Sequence, residues 1–226
     1  VSSGLHELRI SWGAISANAE VLADRGITIA DLRADAYGHQ LVSSAAAVLE
    51  GGATSLLVSS EADAAALDRA GIIAPVIREY GGPTMGGALY GLDGVLRPAM
   101  RISARVVGIK TIQPGDGVSY GYTYRAPVRT NLALVALGYA DGLDRWASNR
   151  GTVLLSGASR LIAGRVAMNV HVLELGDDTA AVGDEAVLFG DPAAGEPSVV
   201  DWASSIGASP AAVTSVFGAR LRAVAR

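Results

Sequence analysis

Residues 27–39, ITIADLRADAYGH, decide how the first third of the chain is read. Gly26 closes the helix before this stretch, and Ile27–Ala34 is read as extended. Successive strand side chains point to opposite faces, so Asp31, Arg33 and Asp35 are expected to share one face at about 6.6–7 Å spacing. That face has two readings. Either Arg33 grips an anion such as a phosphate with both arms of its guanidinium, or its two flanking carboxylates neutralise it; the second is preferred. His39, at the strand-to-helix turn, is read as a capping or packing residue.

Working back, Ser11 is expected to cap a helix through about Asp24 that buries Ile15 and Leu22, and Leu8–Ile10 to form a short strand. Working forward, a helix runs from Leu41 to Glu50 and stops at Gly51–Gly52. Ser55–Val58 is a short apolar run between turn signals, which predicts a buried strand. Ser60, with Asp63 three residues on, predicts the start of a third helix closed by Gly71, and Ala74–Ile77 is again extended. Strand–helix–strand–helix–strand at this spacing means a parallel sheet with helices outside.

The pattern breaks at 80–87 (YGGPTMGG), and Ala88–Leu92 is read as one further strand. From about Arg97, short apolar runs separated by Gly, Asn and Asp (Arg105–Ile109, Asn131–Leu137, Thr152–Leu155, Leu161–Val166, Val170–Leu175, Ala186–Phe189) predict a mainly antiparallel β domain. Two helices end it: Ser198–Ile206, and Pro210–Phe217 with Ser209 as cap and Gly218 beyond the last turn.

Half of the 226 residues are hydrophobic and the net charge is -4, so no basic surface for nucleic acid or anionic membrane is expected. There is no cysteine, and no apolar run reaches the roughly 20 residues that span a bilayer. Val1–His6 lacks the basic and apolar regions of a signal peptide, and a cytoplasmic protein is expected. Asp141 and Asp144 in GYADGLDR (138–145) have no His or Cys nearby and read as turn formers rather than metal ligands.

Several stretches carry a family resemblance. Arg33–His39 (RADAYGH) resembles the lysine-bearing strand end of alanine racemases, K-A-D-A/G-Y-G-H. Gly117–Ala126 (GVSYGYTYRA) resembles the loop with that family's catalytic tyrosine. Gly138–Gly142 (GYADG), Asn149–Gly151 (NRG), Gly164–Met168 (GRVAM) and 183–190 (GDEAVLFG) follow at the spacing of its C-terminal domain. The chain is identified as a truncated, degenerate member of the alanine racemase family, among the fold-type III pyridoxal phosphate (PLP) enzymes. The implied fold is α/β plus β: a segment of an incomplete (β/α) barrel, residues 1–96, then an intact β domain, residues 97–226. The strand at 7–10 is expected to join the β domain.

The resemblance places Tyr120 at the family's tyrosine base, Tyr37 at a phosphate contact, Tyr139 at the substrate entrance and Met168 near the substrate carboxylate. Gly86 and Gly87 are weaker candidates for backbone contacts to a phosphate. The departures are as telling. The PLP-lysine position holds Arg33, whose guanidinium stays protonated and forms no imine. Met168 is followed by Asn169 in place of the family's aspartate, and Thr84 stands where an arginine pairs with the pyridine nitrogen. None of His6, His39 and His171 matches the histidine that stacks on the PLP ring. A complete barrel needs about 250 residues, far more than the 85 or so that this chain devotes to one.

Covalent PLP binding is therefore expected to be lost. The favoured function is a binding, regulatory or subunit partner, as a homo-oligomer or as a heterodimer with a full-length racemase, because three βα units leave open sheet edges. Two alternatives are a PLP-independent enzyme built on Tyr120, Arg33 and Asp35 around a small acidic, amino-acid-like ligand, and ordinary interconversion of L- and D-alanine (a peptidoglycan precursor).

Overall fold

A computed structural model describes residues 4–223. Val1–Ser3, part of the stretch read for a signal peptide, lie outside the described residues. After strand β1 (His6–Ile10), Ser11 accepts the amide of Ala14 and caps helix α1 (Trp12–Asp24), which buries Ile15, Ala19 and Leu22. Strands β2 (Ile29–Asp31), β3 (Ser55–Leu57) and β4 (Val76–Ile77) form a parallel sheet in the order β2-β3-β4. Helices α3 (Leu41–Glu50) and α4 (Glu61–Arg69) make the crossovers, and Ser60 caps α4 through the amide of Asp63.

Residues 88–92, read as a strand, instead belong to a 3-10 turn, Gly86–Tyr90. The turn lies on the edge of β2 that faces away from β3. There Met85 donates its amide to Ile29 O (2.9 Å) and Tyr90 donates its hydroxyl to Asp31 O (2.9 Å). In a closed barrel the last strand would occupy this edge; here two hydrogen bonds satisfy it without a ladder. Among the described residues, no strand pairs with the outer edge of β4.

The extended reading of Ile27–Ala34 holds only to Asp31. Arg33–Gly38 (α2) is a helical turn of the wrong hand: Ala34, Asp35, Ala36 and Tyr37 all have φ between 53 and 56°. Left-handed geometry costs L-residues about 1–2 kcal/mol each, so the surroundings must impose it. The amide of Ala34 goes to Ser59 Oγ (3.1 Å), that of Ala36 to Leu32 O (2.9 Å), and the carboxylate of Asp35 accepts the amide of Leu41 (2.8 Å) at the start of α3. The shared strand face of Asp31, Arg33 and Asp35 therefore does not exist, because the chain coils after Leu32.

The other wall of this turn is α6 (Pro210–Arg220). Gly218, expected beyond the helix, lies within it, and a Cβ there would overlap Gly38 O. A Cβ on Gly38 would overlap Thr214 O, and its φ of +82° independently favours glycine. Two backbones thus meet where neither can carry a side chain.

The larger sheet runs β10-β9-β12-β5-β8-β11, with β1 also on β5. Strand β5 (Met100–Ile112) organises it. Its first half pairs with β1 and with β12 (Glu185–Phe189), and its second half with β8 (Thr130–Val135). β9 (Thr152–Leu155) and β10 (Ala158–Leu161) form a hairpin, and β11 (His171–Gly176) flanks β8. Residues beyond Leu161, expected as strand to Val166, keep only a bridge from Ile162 to Leu173 and the bond from Ala163 N to Val172 O. That bridge brings the two ends of the sheet together. A short ribbon of β6 (Gly117–Val118) and β7 (Tyr124–Arg125) stands off it.

Arg101 ties β5 to β12 through both oxygens of Glu185 (2.9 and 3.0 Å) and to the loop after β12 through Glu196 (2.7 Å). Helices α5 (Val199–Ile206) and α6 close the molecule, Phe217 meeting Phe189 of β12 edge-on at 5.8 Å.

Gly218→Ala should destabilise the chain by about 1–3 kcal/mol, the usual cost of overfilling a tight contact. Gly13→Ala, in α1 with open space around it, should leave stability unchanged or raise it by up to about 1 kcal/mol. Urea unfolding curves of the two variants test the contrast, and equal midpoints would remove the constraint.

Candidate functional site

Two clusters hold the residues singled out from the sequence. The first is at the C-terminal end of β2, where parallel-sheet folds place their chemistry. Asp31 is buried, and Arg33 grips it from outside: Nε lies 2.8 Å from one carboxylate oxygen and Nη2 2.5 Å from the other. Tyr37 donates its hydroxyl to the same carboxylate (3.1 Å). Burial pushes the Asp31 carboxyl up, but the hydrogen bonds and charge of Arg33, with Tyr37 adding to them, bring it below its ordinary value. Asp31 in turn holds the Arg33 guanidinium above its ordinary range, and burial beside Asp31 raises the Tyr37 phenol. Among the carboxylates, Arg33 is therefore paired with Asp31 and not with the two expected, through the Nε and Nη2 edge of its guanidinium.

Beneath them His39 is wholly buried and stacked on Tyr90, with ring centroids 4.5 Å apart. Its Nδ1 lies 3.0 Å from Ala36 O and 3.1 Å from Tyr37 O, so it fastens the left-handed turn from inside. Its Nε2 has no partner. Gly86 and Gly87 open the five-residue 3-10 turn, Gly86 at φ +49°.

The second cluster is on the β domain. Tyr120 begins a turn between β6 and β7 and is 72% exposed. Three of the four residues from Ser119 to Tyr122 have positive φ: Ser119 (60°), Gly121 (72°) and Tyr122 (47°). For the two non-glycine residues such geometry costs of order 1–3 kcal/mol each. Tyr139 and Met168 sit on adjoining loops, joined by Tyr139 N to Ala167 O (3.0 Å) and Ala140 N to Met168 O (2.9 Å). Gly138 permits this, since a Cβ there would overlap Met168 O. Asp141 accepts the amide of Gly138 and Asp144 that of Trp146, as turn formers do.

Within the chain, no described hydrogen bond, ion pair or ring contact joins Tyr120 to Arg33 or Asp35. The single lysine, Lys110, lies exposed on β5, in the other sheet. Sequence reasoning missed that Tyr37 joins Arg33 on Asp31, and it missed Tyr90 beneath both His39 and Tyr37. The signal for Tyr90 was a large aromatic in an apolar run, which does not reveal what it stacks on.

A partial parallel barrel followed by a β domain with an exposed tyrosine turn defines a two-part fold of the fold-type III kind. The chain belongs to the alanine racemase family: residues 10–92 match the model of the alanine racemase N-terminal domain, and residues 99–225 that of the C-terminal domain. It is 46% identical over 143 residues to the alanine racemase of Thermobifida fusca, covering 60% of this chain and 38% of that one. The alanine racemase of Streptomyces coelicolor is 45% identical over 129 residues, 57% of this chain and 33% of that protein. The chain thus spans well under half the length of the curated relatives it matches.

The solved structure of the S. coelicolor enzyme superposes with a TM-score of 0.85 at 25% identity, covering 97% of each chain. Since 129 residues are 33% of the relative, it is about 390 residues long. A match reaching 97% along it must pass over a stretch that this chain lacks. An alanine racemase from Bartonella henselae, solved with covalently bound pyridoxal phosphate, shares the fold, with a TM-score of 0.82 at 17% identity over 98% of this chain and 99% of that one.

His39 and His171 are both wholly buried, His171 lying 2.7 Å from Leu137 O through Nδ1, and burial lowers each to about 4. Each has an ordinary value of 6.5, so the unfolded chain takes up these protons first. Their contribution to stability is complete above about pH 6.5 and is lost as pH falls toward 4. Glu185, held by Arg101 at about 2, loses its own contribution only below the ordinary carboxylate value of 4.5. Unfolding free energy should therefore drop between pH 6.5 and 4.5, and His171→Gln should remove about half of that slope. A flat profile there would refute the assignment.

Proposed function

We propose that this chain is an alanine-racemase-like subunit that does not hold PLP through an imine and offers its Tyr120 turn to the site of a full-length partner. The observation that carries the reading is Arg33 bound through Nε and Nη2 to Asp31, where the family has its lysine. The residues there do not fit a covalently held cofactor: a guanidinium forms no imine, the Tyr37 hydroxyl is turned to Asp31, and Lys110 lies on the other sheet. The tyrosine side, by contrast, is built and presented, with Tyr120 exposed on a braced turn. In a heterodimer that phenol is one proton-transfer group, facing a cofactor that the partner alone retains.

The competing reading is alanine racemisation by this chain itself, favoured by its 46% identity to a named racemase. The repurposed-enzyme reading is disfavoured because Asp35 is committed to Leu41 N and Arg33 to Asp31.

Two measurements separate these readings. The chain alone with PLP should give no borohydride-reducible imine band and no D-alanine. Mixed with a full-length racemase whose own catalytic tyrosine is replaced by Phe, it should restore racemisation at least tenfold over either protein alone, and its Tyr120→Phe variant should not. D-alanine from the isolated chain would establish the competing reading, and failure to complement any full-length homologue would end the subunit reading.

A further inference from the structure

The turn that carries Tyr120 is backbone-strained and mostly exposed, so something outside it must fix its shape. Three ties do so. Ser119 Oγ donates to Arg165 O (2.6 Å), Tyr124 donates its hydroxyl to Glu174 of β11, and Asn149 Nδ2 donates to Thr123 Oγ (3.1 Å). The third differs from the others, because the same Asn149 side chain accepts the amide of Gly164 through Oδ1 (2.7 Å). Its own amide goes to Ile162 O (3.1 Å). Asn149 is half-buried and itself has φ +57°, a conformation that asparagine tolerates better than most residues.

Three loops therefore meet at one amide group: the Tyr120 turn, the loop that leads through Gly164 to Met168, and the Asn149 loop itself. Gly164 packs directly under the turn, where an added Cβ would come 2.6 Å from Val118 O and 3.0 Å from Ser119 Cβ. The Met168 loop in turn holds Tyr139 through the backbone bonds given above. We propose that Asn149 is a positioning residue that sets the Tyr120 turn in register with the Met168–Tyr139 loops. It does so as a donor on one side and an acceptor on the other. The use of Tyr120 in a partner's site rests on the function proposed above; the positioning itself does not.

Asn149→Gly tests this without disturbing the backbone, since glycine adopts φ +57° freely. The isolated chain should resist chymotrypsin at Tyr120 and Tyr122, and Asn149→Gly should be cut there at least tenfold faster with its Tm changed by only a few degrees. Asp144→Ala, which removes a cap on Trp146 N (2.8 Å) within the Asn149 loop and none of the three ties to the tyrosine turn, should leave cleavage unchanged. Asn149→Asp, which keeps acceptors for the Gly164 amide and the Thr123 hydroxyl, should restore most of the resistance. Unchanged cleavage in Asn149→Gly, or equal acceleration in Asp144→Ala, would overturn the proposal. In the complementation assay Asn149→Gly should lower kcat about tenfold at an unchanged concentration for half-maximal rescue. If the wild-type chain itself rescues nothing, the proposed function fails, while the cleavage result still decides the role of Asn149.

Discussion

The left-handed turn after β2 is the constraint on which the two halves of the molecule depend. Four consecutive L-residues are held in an unfavourable conformation because every exit is closed. Asp31 fixes Arg33 and Tyr37 on one side, His39 fastens the turn from within, Asp35 anchors the next helix, and α6 presses from outside at Gly38 and Gly218. Since α6 follows the β domain in sequence, this contact joins the barrel remnant to that domain, supplementing the β1–β5 pairing. A three-stranded sheet is a small base for an independent core. The continuous core running from Ile15 and Val48 through Tyr90 to Phe189 and Phe217 shows that the remnant is stabilised as part of the whole.

The arginine at position 33 has its effect within this frame. A lysine at position 33 would present one mobile ammonium; the planar guanidinium instead matches a carboxylate with two parallel bonds. The buried charge of Asp31 is thereby compensated locally, and the Tyr37 hydroxyl is recruited to the same group. Asp31, Arg33 and Tyr37 together form a self-sufficient polar cluster at the end of β2. In the β domain, the strained tyrosine turn is tied to the neighbouring loops.

Much of the fold was legible in sequence where the cause is local. Ser11, Ser60, Ser198 and Ser209 cap the helices expected of them, and each accepts an amide three residues on. The misreadings share one origin, which is that tertiary contact overrode local preference. Ala34–Tyr37 contains two alanines, good right-handed helix formers, and nothing nearby in sequence announces a left-handed turn. Gly218 has the look of a helix terminator, yet it serves a close approach to a backbone 180 residues away. Leu161–Val166 and Ala88–Leu92 are apolar because they are buried, and burial alone does not make a strand. For the candidate site, residue types and positions were readable, but their partners were not: the alternation of Asp31, Arg33 and Asp35 suggested a shared face that the coil after Leu32 dissolves.

The outer edge of β4 carries a last consequence. An unpaired strand edge is ordinarily a template on which another chain can add a strand and begin an aggregate. This one is a poor template for reasons already in its sequence. It is two residues long, Pro75 before it has no amide to donate, and Arg78 and Glu79 after it place opposite charges where a guest strand would have to desolvate them. A sheet that stops at such a strand has a blunt end, a poor seed for a fibre.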